Sequence, residues 1–205
     1  MKNVLFTSLL ALLTTFASFS QSKVPPTDQS PMDMSYYPPN YPILKIQDKI
    51  TEPLVARVIY SRPRRDGRMV FNELVEYNKV WRIGANEATE IEFFKDVRFA
   101  GKPVPKGKYT LYAVPDPQKW IVILNKETDT WGSFKYDIKK DVLRVELPVE
   151  KLSEPLETLA IYFDKSAEGF NLFAGWENAS VIVPISVAEK SSSKSPGKTL
   201  RKNLN

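Results

Sequence analysis

From residue 54 onward, apolar and polar positions alternate. "LVARVIYS", "TLYAVP", "WIVILN", "VLRVELPV", "LAIYFD" and "VIVPISV" each place Val, Ile, Leu, Tyr or Phe at every second residue. That spacing marks a strand with one face buried. Sustained helical spacing is missing, and "VEKLSEPLETL" is interrupted by Pro155. Adding "KVWRI", "TEIEFF", "DVRFA" and "FNLFAGW" gives about nine or ten short strands. The expected fold is a single-domain, all-β antiparallel sandwich, jelly-roll-like, over residues 54–188. "DVRFAGKPVPKGKYTLYAVP" predicts a hairpin in which 97–100 pairs with 109–114, with Gly101 and Gly107 free to take positive φ.

The two ends break this pattern. Met1-Lys2-Asn3 and the apolar run from Val4 to Phe19 read as a secretory signal peptide over 1–20, with Ser18 and Ser20 before a cut at Gln21. The run is shorter than the roughly 20 residues a spanning helix needs. The expectation is an exported protein, periplasmic or secreted, with no transmembrane segment in its mature form. Residues 21–53 hold Pro25, Pro26, Pro31, Pro38, Pro39, Pro42 and Pro53 and predict an extended lead, with Tyr36, Tyr37 and Tyr41 on the domain surface. Residues 189–205 predict a disordered basic tail.

Charge follows the same division. The chain carries 29 Lys and Arg against 24 Asp and Glu, but Lys190, Lys194, Lys198, Arg201 and Lys202 carry the excess. The body is balanced. The tail offers cations for loose contact with anionic surfaces, and no motif points to a specific nucleic-acid partner.

Two residue types are missing altogether: the chain has no His and no Cys. Ser-His-Asp triads, Cys-His dyads, His-ligated metals and disulfides are closed to it. No cofactor or metal is expected. "GKPVPKGK" has the wrong spacing for a phosphate-binding loop, and Tyr109 stands where Ser or Thr would hold magnesium. Glu90 and Glu92 lie about 7 Å apart along one strand face, a spacing shared by an inverting glycosidase pair and by an ordinary solvated face. The solvated face is the simpler account of them.

One stretch interrupts the alternation with chemistry of its own. "YSRPRRDGR" crowds Arg62, Arg64, Arg65 and Arg68 into one connection, and "WRIGANEAT" follows at Trp81–Thr89. With Trp120, Trp131-Gly132, Tyr136 and Trp176-Glu177, these motifs resemble the DUF2911 family from about Tyr41 to Val187. The resemblance implies an exported bacterial protein of a family with uncharacterised function. Members usually show Gly where this chain has Asn72 and Asn78, and Asn also tolerates the left-handed turns those positions imply.

Two readings of the motif stand side by side. In the architectural one, Gly84 makes a turn or bulge, Asn86 bonds backbone, and Glu87 pairs with Arg82 or Arg62 across the sheet. In the functional one, Arg62, Arg82, Asn86 and Glu87 form a pocket for an anionic or hydroxyl-rich small ligand or glycan, with Trp81, Trp131 or Tyr136 as a flat platform. The leading expectation is an exported binding module. The alternatives are an envelope structural or interaction protein, and a His-independent hydrolase using Glu87. Trp120 and Trp176 are expected in the core.

Overall fold

Residues 24–188 are described by a computed structural model. The leader over 1–20 and the basic tail over 189–205 lie outside the described residues. Ten strands form two antiparallel sheets. They are β1 (Met32–Tyr37), β2 (Ala56–Ser61), β3 (Glu90–Phe93), β4 (Val97–Phe99), β5 (Lys102–Val104), β6 (Gly107–Pro115), β7 (Lys119–Asn125), β8 (Asp141–Pro148), β9 (Glu150–Ser166) and β10 (Gly169–Val187). The larger sheet runs β1-β2-β3-β6-β7-β8 and the smaller β5-β4-β10-β9. The all-β sandwich expected from the alternation is present.

Period two explains the packing. Ala56, Val58 and Tyr60 of β2, Tyr109, Leu111 and Ala113 of β6, and Trp120, Val122 and Leu124 of β7 point into one core. Leu159, Ile161 and Phe163 of β9 and Phe170, Leu172 and Ala174 of β10 meet them from the opposite sheet. Burying each large side chain contributes about 1.5–3 kcal/mol. Trp120 and Trp176 are core residues as expected, each almost fully buried. The opposite parity of β6 and β7 is covered too. Tyr112 and Ile123, with Ala88, form a small second cluster joined by Tyr136 from the β7–β8 connection.

Three expectations need correction. First, Val97–Phe99 does not pair with 109–114. It turns tightly through Ala100 and Gly101 (φ 47° and 76°) onto Lys102–Val104, within the smaller sheet. Gly107–Pro115 then crosses to the larger sheet, between β3 and β7. Both limbs alternate correctly, but alternation does not encode a partner.

Second, the Pro-rich lead is structured where prolines permit it. Met32–Tyr37 pairs along all of β2 as an edge strand, and Tyr41–Ile46 forms a short helix α1 with Pro42 in its first turn. Third, Tyr37 is not a surface residue. It is 9% exposed and stacks on Phe170 with ring centroids 4.0 Å apart.

β9 and β10 are long because segments that read as separate strands join. Pro155 is tolerated in β9, which lies at the sheet edge. Their ladder shifts register between Gly175 and Glu177 and again between Glu177 and Ala179, with Glu177 at φ 53°.

Candidate functional site

The interruption at Trp81–Thr89 is a wound turn built on a strand-like entry. Trp81 bridges Ala113 of β6 through both backbone bonds, 2.7 and 2.9 Å. Ile83 then takes φ 49°, and its side chain is almost wholly buried. Left-handed backbone is strained for a β-branched residue, a cost of order 1–3 kcal/mol, and such strain gathers at functional sites. Gly84 is required by space, since a Cβ there would lie 2.8 Å from the Ser61 hydroxyl. That hydroxyl accepts from the Ala85 N–H and donates to the Ala85 carbonyl, both at 2.6 Å.

Asn86 follows at φ 58°, its carbonyl accepting from the Gly132 N–H at 2.8 Å. Thr89 closes the turn: its hydroxyl donates to the Ile83 carbonyl at 2.6 Å and its N–H to that of Arg82 at 3.1 Å. β3 begins immediately afterwards.

This turn forms one side of a cleft of about 310 Å³. Trp81 and Trp176 give it an apolar floor, their rings nearly parallel at 18° with centroids 6.2 Å apart. The Trp176 indole N–H donates to the Glu157 carbonyl, so its polar atom is already satisfied. The β2–β3 connection contributes Pro63, Arg64, Asp66, Arg68, Leu74 and Val75, and the lead contributes Gln29 and Ser30. Three guanidinium groups (Arg64, Arg68, Arg82) line the cleft with one carboxylate, Asp66, and Glu157 lies 3.8 Å from Arg64, which leaves a modest positive balance.

The three arginines differ in how they are held. Arg64 lies 3.4 Å and Arg68 3.8 Å from Asp66, and Arg68 also donates to the carbonyls of Arg65 and Arg64. Arg82 is partly buried, and its Nε is buried without a hydrogen-bond partner. Burial pushes the Arg82 guanidinium below its ordinary value, and no neighbouring carboxylate offsets that. It remains a cation at neutral pH, because guanidinium is effectively never deprotonated in proteins. Holding a partly buried cation without a partner carries a desolvation cost.

Of the seven residues singled out from sequence, Trp81 and Arg82 line the cleft and the others do not. Asn86 stands at its margin, donating to Asp28 at 2.9 Å beside Gln29 and Ser30. Arg62 works elsewhere. It pairs with Asp33 at 3.0 Å and donates to Thr158 and the Leu159 carbonyl, tying edge strand β1 to β9.

Glu87 is exposed, and among the described residues it pairs with neither Arg82 nor Arg62, so the expected clamp is not formed. Its backbone bridges Trp131, whose side chain is 61% exposed. Tyr136 belongs to the outer cluster. Its hydroxyl donates to Asp141 at 2.5 Å and accepts from Arg144 at 2.7 Å. Burial, then that bond to Asp141, pushes its phenol up to about 12.

The sequence pattern does not single out Asp66, Trp176, Gln29 or Ser30 as cleft residues, and it marks Arg64 and Arg68 only as part of the basic run. That run was the available signal. Glu90 and Glu92 lie on the outer face and are paired, with Lys108 at 2.7 Å and Arg57 at 2.5 Å. The cleft thus offers a cation, a flat apolar floor and polar walls.

No curated protein and no solved structure matches the chain. The family model described as "Protein of unknown function (DUF2911)" matches residues 42–185, and the chain belongs to the DUF2911 family.

Proposed function

We propose that this protein is a binding module that takes a small anionic ligand, a carboxylate or phosphate compound, in the Arg82 cleft. The carrying observation is the buried Arg82 Nε with no partner. An anion accepting from the part of that guanidinium that lines the cleft would neutralise a cation that has no carboxylate partner among the described residues. Arg64 and Arg68 add to the attraction, and the tryptophan floor suits an apolar portion of the ligand. Strain at Ile83 supports the same reading, since it buys a fixed position for Arg82. The leader pattern supports binding outside the cytoplasm.

The test is melting of the full chain with phosphate, citrate and uronic acids, each matched in ionic strength by sodium chloride. A specific ligand raises stability by about 2.7 kcal/mol at a hundredfold excess over Kd. Equal melting in every anion and in sodium chloride would refute the proposal.

A further inference from the structure

The connection that walls the Arg82 cleft has a second face. Leu74 and Val75 line that cleft, whereas Phe71 and Tyr77 of the same segment line another, of about 330 Å³. Its remaining walls include Trp120, Asp116, Lys151 and Asn178. Both volumes fall in the ~300–1,000 Å³ range of small-molecule sites.

We propose that this second cleft is a separate site for a neutral, hydroxyl-rich ring, a single sugar residue or the end of a glycan. Three independent features point to that chemistry.

The first is the aromatic wall. Phe71 and Tyr77 lie nearly parallel, at 13° with centroids 6.2 Å apart, and Trp120 meets Phe71 at 5.4 Å. Phe71 and Trp120 are nearly buried and back the wall, so the partly exposed Tyr77 presents the ring on which the C–H face of a pyranose packs. The second is the polar set opposite them. Asp116 accepts, Lys151 donates and Asn178 does both, a combination that matches neighbouring hydroxyls. One carboxylate against one ammonium leaves no net charge, so this cleft lacks the anion preference of the first. Among the described residues neither Asp116 nor Lys151 joins an ion pair; one Asp116 oxygen accepts from the Gln118 N–H at 3.0 Å, which leaves its other oxygen and the Lys151 ammonium to a ligand.

The third feature is backbone. The two register shifts, between Gly175 and Glu177 and between Glu177 and Ala179, leave Asn178 out of the β9–β10 ladder at the point where it lines the cleft. Bulges of this kind re-aim a side chain and are over-represented beside functional sites. Glu177, at φ 53°, anchors the opposite wall by accepting from the Val70 N–H at 3.0 Å. Burial, with Glu177 and Asp116 nearby, raises the Tyr77 phenol above its ordinary value, so it remains a donor at neutral pH.

The experiment titrates the full chain with glucose, galactose, N-acetylglucosamine and their linear trisaccharides, followed by tryptophan emission and calorimetry. At least one sugar should bind saturably. Asn178→Ala and Tyr77→Phe should each weaken it about tenfold or more, equivalent to about 1.4 kcal/mol, without lowering the melting temperature. Arg82→Met should leave the sugar affinity unchanged. The proposal is overturned if no sugar binds saturably, if binding survives both Asn178→Ala and Tyr77→Phe, or if Arg82→Met abolishes it. The last result would put the sugar in the first cleft. Anion binding is measured separately, so the two sites can fail independently.

Discussion

The Ser61 hydroxyl lies 2.6 Å from both the N–H and the carbonyl oxygen of Ala85, and a Cβ on Gly84 would come within 2.8 Å of it. One side chain at the end of β2 therefore sets the path of the turn that carries Arg82.

That arrangement predicts non-additive mutations. Ser61→Ala leaves polar groups of Ala85 without a partner and should destabilise by about 1–3 kcal/mol. Gly84→Ala should also destabilise, through the clash. In the Ser61→Ala background the oxygen it would strike is gone, so the second substitution should cost less there. A double-mutant cycle by urea denaturation checks this, with a coupling of about 0.5–3 kcal/mol expected. Simple additivity would mean that the hydroxyl does not set the turn.

Trp131 and Glu87 are exposed and outside the cleft. Trp131→Ala and Glu87→Gln should each change stability by no more than about 0.5 kcal/mol, as surface substitutions do. Neither should alter anion affinity in calorimetric titration. A marked loss of binding in either variant would place the ligand on the outer surface.

The Tyr136 phenol ionises at about 12 in the fold, against an ordinary value of 10.0. The folded state therefore holds this proton more tightly than the unfolded chain does. The stabilisation is complete below pH 10 and is lost as pH rises through about 12. Denaturation midpoints followed from pH 9 to 12 should fall more steeply for the native chain than for Tyr136→Phe. Identical slopes would contradict the burial and Asp141 bond assigned to this group.

These residues also show what the sequence could and could not convey. Strands were legible because Leu111 and Ala113 of β6, or Val122 and Leu124 of β7, need only local alternation to reveal a buried face. Partners were not legible. Val97–Phe99 and Gly107–Pro115 read as one hairpin, yet the tight turn at Ala100-Gly101 gives the first a different neighbour. β1 itself holds no proline, but Pro31, Pro38 and Pro39 flank it and hide a short edge strand inside a proline-dense lead.

Charge pairing failed for a related reason. Arg62 finds Asp33 and Thr158, far away in sequence, and a long guanidinium side chain leaves no local trace of its choice. Arg82 was legible as a candidate, but its lack of a partner was not, since that depends on every neighbouring carboxylate at once.

The most direct measurement compares the native chain with Arg82→Met in parallel, by thermal melting without ligand and by calorimetric titration with phosphate and carboxylates. Removing a partly buried cation that has no partner should leave the melting temperature unchanged or higher. It should also weaken anion binding by about 1.5–3 kcal/mol, the contribution of a hydrogen bond to a charged group. An Arg82→Met protein that melts lower than the native chain, or that binds the same anion equally well, would contradict the account.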